Sequence, residues 1–297
     1  MIKQFILKYS PEFLLEWGKK VKKKQRKKQL QDQQKNDLGI SKQTLVDDFK
    51  KIGIKNGDSV LVHSSMSKIG FVEGGAETVI NALSETVGEG GTLLFPSFSA
   101  KGRNKTYLEE HPYFDIKNTP SQMGIITECF RKSTNVFRSF HPTDSVCAKG
   151  RLAEYYTNTH YDQLTPYNEN SPFRKLCSMN GKILMLGTTL NGACTNLHTL
   201  EDAVDFKFPV YDAKIFEIEM TDEKGNKSLV KTKVHNPEYS AKRNCDALKP
   251  MFEKEGVLVN GLIGEAQSML IDANIMLEVM IKNYNEKGIT MYTPFGN

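Results

Sequence analysis

No run of apolar residues in this chain approaches the ~20 needed to span a bilayer as a helix. The longest, Ser59–Val62 with its flanks and Lys182–Leu186, fall far short, so no transmembrane helix is expected. Cysteine is scarce: Cys129, Cys147, Cys177, Cys194 and Cys245 are odd in number, scattered and free of any C-x-x-C pair, which excludes a disulfide framework and a zinc knuckle and reads as reduced thiols. A secretory pattern, basic then apolar then small, is not found at residues 2–17, where the apolar stretch comes first and the basic run follows. A cytoplasmic location is therefore the expectation.

What the chain has is a globular composition, with 39% hydrophobic and 25% charged residues among 297, enough for a sizeable core in one large α/β domain or two smaller ones. The net charge of +5 is unevenly placed. Residues 1–40 hold eleven Lys and Arg against four Asp and Glu, a net +7, which leaves the remaining body at 29 against 31, a net −2. The excess lies in the run from Lys19 to Lys28. Ahead of it, Ile2, Phe5, Ile6, Phe13, Leu14 and Trp17 form one apolar helical face, interrupted at Pro11. We read residues 1–40 as a basic amphipathic arm and 41–297 as the functional domain. Three readings of the arm stand: a peripheral contact with an anionic membrane at the inner surface, a solvated segment packed on the body or a partner subunit, or a nucleic-acid contact. The last is the weakest, because the aromatics precede the basic run instead of interleaving with it.

From Ser41 the pattern becomes amphipathic α/β. Ser41 caps a helix to Lys51; Ser59–His63 is a short β-branched strand; a glycine-containing loop leads to a helix with Ala76, Val79, Ile80, Leu83 and Val87 at helical spacing; and Thr92–Phe95 is the next strand. This β-α-β order implies a parallel or mixed sheet covered by helices. The stretch 101–119 reads as a long loop, 122–131 as a helix and 182–187 as a buried strand. Residues 215–220 and 229–234 alternate around the turn Asp222–Asn226 as a small antiparallel hairpin, and a final amphipathic helix is expected from about Ala266 to Tyr284.

Four segments carry candidate chemistry: 62–67 (VHSSMS) running into the glycines at 70, 74 and 75; 139–146 (SFHPTDSV); 167–173, ending in Ser171-Pro172-Phe173; and 186–189 (LGTT) leading to 196–202 (NLHTLED). Small hydroxyl residues and glycines at a strand end expose backbone N–H groups that can hold an anionic or carbonyl oxygen. In this order and at these separations, from about Gly57 to Gly264, the segments resemble the aminoglycoside 3-N-acetyltransferase family. The resemblance implies an α/β fold, a three-layer α/β/α body with a mixed central sheet. It also implies acetyl transfer from acetyl-CoA to an amine on an aminoglycoside or related amino sugar, an antibiotic-resistance chemistry.

The resemblance makes His198 and Glu201 the catalytic pair. At i and i+3 on a helix the two face the same way, so Glu201 can orient the imidazole and favour its charged form, and an imidazole titrating near neutrality suits a general base. The expected mechanism is direct attack in a ternary complex, without an acetyl-enzyme. A metal at His198 and Glu201 would need a third ligand that the sequence does not announce, and no metal is expected. The same resemblance lines the pantetheine channel with Val62, His63, Ser64, Ser65, Ser145 and Val146, whose main-chain amides would polarise the thioester carbonyl. His141 either shapes that site or satisfies a buried turn. Lys101, Arg103 and Lys105 are candidates for the CoA phosphates, and Asp202, Asp205 and Glu169, with Asp162 nearby, for a cationic acceptor. Two alternatives remain: an N-acyltransferase for a nucleotide- or lipid-linked amino sugar of surface glycans, and a non-enzymatic module whose basic arm binds acidic lipid or nucleic acid.

Overall fold

The computed structural model describes residues 12–296. Ile2, Phe5, Ile6 and Pro11 lie outside the described residues, as do the side chains of Phe13 and Leu14. Among the described residues ten strands form two sheets: β1 (Ser59–Ser64), β2 (Thr92–Pro96), β3 (Tyr113–Asp115), β4 (Phe137–Arg138), β5 (Val146–Gly150), β6 (Lys182–Leu186), β7 (Phe216–Thr221), β8 (Lys227–Thr232), β9 (Leu258–Ile263) and β10 (Ala266–Asp272). Seven make a mixed central sheet in the order β4-β5-β2-β1-β6-β10-β9, in which β1 runs parallel to β2 and β6 and the outer pairings are antiparallel.

The three central strands are apolar on both faces because successive side chains point to opposite sides. Val60, Val62, Leu93, Phe95, Leu184 and Leu186 pack against the helices Lys42–Ile52, Gly75–Val87 and Ile125–Lys132. Leu61, Leu94, Ile183 and Met185 turn the other way, into a core with Tyr156, Phe173, Phe252 and Met276. The result is the three-layer α/β/α body. Its first helix starts where expected, with the Thr44 N–H donating to Ser41 Oγ at 3.1 Å, and closes on Gly53 at φ +115°.

Two sequence expectations are corrected. Residues 266–272 are not helical: they form β10, antiparallel between β6 and β9, and the helix begins only at Ala273, where Asp272 Oδ1 accepts from the Ile275 N–H. A short apolar run such as Met269-Leu270-Ile271 fits a buried strand or a buried helix equally well, and here the open edge of β6 decides it. The stretch 101–119 is not a structureless loop either. It holds the helix Asn104–Glu110 and β3, because Leu108, Phe114 and Ile116 fill a third core beneath the small sheet. That sheet is the expected hairpin, β7 and β8 around a turn closed by Asp222 Oδ1 on the Asn226 N–H (2.8 Å), extended by β3 running parallel to β7.

The arm is helical from Glu12 to Lys35. Its later part is fastened to the body: Arg26 donates to Glu265 (2.8 Å) and to the Ser67 carbonyl (2.5 Å), and Gln33 donates to Glu265 and accepts from the Phe71 N–H (3.2 Å). Lys20, Lys22, Lys23, Lys24, Lys27 and Lys28 stay exposed, and Trp17 is 65% exposed. No helix among the described residues is long and apolar enough to cross a membrane.

Candidate active site

Parallel strands of an open α/β sheet present their following loops at one edge, where ligand crevices form. Here β2 leads to Phe98, and β6 ends at Gly187, whose φ of +68° and closeness to Lys68 (a Cβ would stand 2.7 Å from that of Lys68) demand glycine. The chain then turns through Thr189, which caps the short helix Leu190–Ala193, into a 3₁₀ segment, Thr195–Leu200. Together with Arg103, Asp144, Tyr167 and His235, this edge encloses a cavity of about 240 Å³ into which His198 faces.

The helix that carries His198 is a 3₁₀ segment. With three residues per turn, positions i and i+3 eclipse. His198 Nδ1 donates to Glu201 Oε1 at 2.8 Å while Leu197 and Leu200 anchor the segment in the core. The segment is held in turn by Thr199 Oγ1 on the Asn196 carbonyl (2.7 Å) and by Asn196 Nδ2 on the Phe173 carbonyl (3.0 Å).

Glu201 has further partners that sequence reasoning missed. His235 Nε2 donates to Oε2 at 2.7 Å, and the Tyr292 hydroxyl donates to Oε1 at 2.6 Å. His235 arrives from the segment after β8, Tyr292 from the chain beyond the last helix. Burial alone would push the Glu201 carboxyl up, but His198 and His235 hold it well below the usual carboxylate range, so it is an anion. His198 departs from the expected near-neutral value: burial pulls it down to about 3, outweighing the attraction of Glu201. It is neutral at pH 7, its proton sits on Nδ1 toward Glu201, and Nε2 keeps a lone pair. Burial and the nearby Glu201 charge raise the Tyr292 phenol, which remains a donor.

His198, Glu201 and His235 offer three ligand atoms within 4.8 Å of one another, the one such metal-compatible group among the described residues. The 2.7 and 2.8 Å contacts need an N–H from each imidazole, so the arrangement as it stands is a hydrogen-bonded chain with Glu201 at its centre.

The other candidates are distributed as follows. His63 is buried, pulled down to about 3 by that burial, and its Nε2 lies 3.4 Å from Thr195 Oγ1 on the cavity wall. Val62 and Val146 have fully buried side chains. The Ser65 amide already donates to the Leu186 carbonyl (3.0 Å) and the Val146 amide to Ser139 Oγ (2.8 Å), so neither is free to polarise a thioester without giving up an internal bond. Ser64 and Ser65 are half-buried; Ser145 is buried, donating to the Ser97 carbonyl at 2.7 Å. His141 accepts from the Asp144 N–H at 3.1 Å and stacks on His160 at 4.5 Å, the buried-turn reading of this residue.

Of the basic trio, Arg103 lines the cavity, Lys105 pairs with Asp212 at 2.8 Å and Lys101 is exposed. Asp202 is committed to the Tyr167 N–H (3.2 Å) and the Tyr211 hydroxyl (3.0 Å). Asp205, Glu169 and Asp162 are exposed and stand outside the cavity lining. A second depression of about 540 Å³ lies over Lys68, Thr188, Thr189 and Lys249.

Residues 61–285 match the family model described as aminoglycoside 3-N-acetyltransferase. The chain is similar to aminoglycoside N(3)-acetyltransferase VII of Streptomyces paromomycinus, 33% identical over 198 residues, which is 61% of this chain and 68% of that one. It is also similar to aminoglycoside N(3)-acetyltransferase III of a Salmonella species, 29% identical over 253 residues, 78% and 87% of the two chains. Among solved structures, "AAC-IIIb binary with CoASH" aligns with a TM-score of 0.69 at 27% identity over 82% of this chain and 95% of that one. "AAC-VIa bound to Sisomicin" aligns at 0.69 and 26% identity over 84% and 98%.

Proposed function

The chain belongs to the aminoglycoside 3-N-acetyltransferase family, and from that premise we propose that His198, oriented by Glu201, is the general base for direct attack of an acceptor amine on acetyl-CoA. The enzyme is an acetyltransferase with acetyl-CoA as cosubstrate and a small-molecule amine as acceptor. The observation that carries the mechanism is the 2.8 Å bond from His198 Nδ1 to a carboxylate that His235 and Tyr292 also hold, which leaves Nε2 as the basic atom facing the cavity.

The unprotonated acceptor nitrogen forms a bond to the thioester carbonyl carbon, and the carbonyl electrons move to oxygen. The nitrogen of this adduct, now positively charged, passes its proton to His198 Nε2. The oxygen electrons return, the C–S bond breaks, and the CoA thiolate leaves and takes up a proton. Acetamide and free thiol are the products. Burial of His198 keeps it unprotonated in the resting site, and Glu201 stabilises the imidazolium once it forms.

Val62, His63, Ser64 and Ser65, with Ser145 and Val146, form the region we assign to the pantetheine arm. It touches the wall of the catalytic cavity, through the contact of His63 with Thr195, and that of the depression over Lys68, whose N–H donates to the Ser65 carbonyl. Residues 1–40 act as an arm distinct from the domain 41–297. Its exposed lysines and Trp17 favour contact with an anionic membrane surface, where a nucleotide- or lipid-linked amino sugar would be the acceptor.

Release of CoA thiol from acetyl-CoA, measured with aminoglycosides, free amino sugars and nucleotide-linked amino sugars, tests the function. Release with at least one acceptor is expected; silence across the panel together with no calorimetric binding of acetyl-CoA overturns it. Sedimentation with anionic vesicles, with and without residues 1–40, tests the arm, and equal sedimentation rejects the membrane contact.

A further inference from the structure

The lining of the catalytic cavity carries two guanidinium groups, Arg103 and Arg243, against one carboxylate, Asp144. Asp144 accepts from the Tyr167 hydroxyl (2.9 Å), Thr143 Oγ1 (2.5 Å) and Asn104 Nδ2 (3.3 Å), and burial pushes its carboxyl up while Arg243 draws it back down. The acidic residues expected to receive a cationic acceptor, Asp205, Glu169 and Asp162, stand outside this lining. With His198 neutral, the wall that faces the reacting groups therefore holds an excess of positive charge.

Arg243 also has bonds left to make. Its Nε and Nη2 N–H groups are withdrawn from bulk water and have no hydrogen-bond partner. These two atoms form one edge of the guanidinium, the edge that grips two oxygens of a phosphate or carboxylate in parallel. Glu201 and the Tyr292 hydroxyl attract the group from nearby, but Glu201 already accepts from His198, His235 and Tyr292. Among the described residues no carboxylate lies within ion-pair distance of Arg243 or Arg103. Buried donors without acceptors are costly, and ligand oxygens recover that cost.

The phosphates of CoA do not fit this place. The cavity of about 240 Å³ holds the base that must stand beside the thioester, and the pantetheine arm separates that thioester from the CoA phosphates by a long chain of bonds. The anion must then come with the acceptor. Resting on the functional reading above, we propose that Arg243 and Arg103 seat a phosphate group carried by the acceptor, so that the preferred acceptor is a phosphorylated amino sugar. The phosphate fixes the ring while its amine faces His198 Nε2, and the same sugar without phosphate leaves the guanidinium edge unmatched. The volume, below the roughly 300–1,000 Å³ of pockets for drug-sized ligands, suits a single phosphorylated ring.

The test uses the full chain, with calorimetric affinity for glucosamine 1-phosphate, glucosamine 6-phosphate and glucosamine measured for the wild type and Arg243→Gln, and acetyl-CoA affinity and melting temperature read alongside. The wild type is expected to bind one of the two phosphates about tenfold or more tighter than glucosamine, and Arg243→Gln to lose that advantage while keeping glucosamine and acetyl-CoA binding within about twofold. No binding of either phosphate, wild-type affinity equal to that for glucosamine, or an equal loss for all three sugars in Arg243→Gln overturns the proposal. A loss confined to acetyl-CoA overturns it too, by assigning the cation to the phosphates of the cosubstrate. Because binding is read without turnover, thiol release with an aminoglycoside by a wild type that does not bind the phosphates refutes this proposal and keeps the functional reading. Phosphate binding through Arg243 with no thiol release from any acceptor refutes the functional reading alone. Should Arg243→Gln not fold, Arg103→Gln at an exposed position reads the same seat: it is expected to weaken phosphate binding about threefold or more, and unchanged affinity refutes the seat.

Discussion

Lowering the pH from 7 to 5 should cost this fold much of its stability, and the size of the loss follows from its buried histidines. Burial pulls His63, His160 and His198 down to about 3, whereas an unfolded chain titrates them near 6.5. Between those values the unfolded state binds the extra protons, so the stability these neutral imidazoles represent is fully present above pH 6.5 and is lost as the pH falls toward 3. Each contributes a slope of about 1.4 kcal/mol per pH unit once well below 6.5, or about 2 kcal/mol between pH 7 and 5, and the three together about 6 kcal/mol. His141, also pulled down by burial, adds to the loss, while Asp144 and Asp202, whose carboxyls burial pushes up, work against it. A domain typically holds about 5–15 kcal/mol in total, so the midpoint of unfolding should fall steeply in this window. Urea titrations at half-unit pH steps measure it, and His160→Gln should reduce the slope by about one proton. A stability that is flat or rising from pH 7 to 5 refutes the reasoning.

Further outcomes follow from single contacts. Glu201→Gln removes the charge beside His198 and sets an amide N–H₂ against one of two imidazole N–H groups; kcat should fall about 100-fold or more, and nitrogen NMR should show a tautomer change at one of the two imidazoles. Retained kcat would dismiss Glu201 as the orienting group. Leu184→Ala, at a fully buried site in the central strand, should cost about 2–5 kcal/mol by chemical denaturation, and a loss below about 1 kcal/mol would contradict the central position of β6. Arg26→Ala removes the half-exposed bridge to Glu265, so stability should change by less than about 1 kcal/mol while proteolysis within residues 12–35 accelerates; unchanged proteolysis would mean that the arm is held by other contacts.

Much of the central fold is legible in the sequence because it is local. The β-branched strand after Gly57, the cap at Ser41 and the turn at Asp222 each declare themselves within a few residues. So does the pairing of His198 with Glu201, since a three-residue spacing brings side chains together in either helix type. What stayed hidden depends on distance along the chain. His235 and Tyr292 reach Glu201 across 34 and 91 residues, and Asp144 meets Tyr167 across 23, with no spacing rule to join them. β10 was misread for a related reason: its seven residues are apolar enough for either structure, and only the free edge of β6 assigns them. The titration of His198 departs from its sequence expectation because a partner can be inferred from sequence, whereas complete burial cannot.

If His198 supplies the base for acetyl transfer, its loss must show in turnover and not in CoA binding. Thiol release from acetyl-CoA with an active aminoglycoside, compared between the wild type and His198→Ala at matched saturation, tests it most directly. Turnover is expected to fall about 100-fold or more while calorimetric affinity for CoA is kept. Turnover equal to the wild type would contradict it and remove His198 from the mechanism.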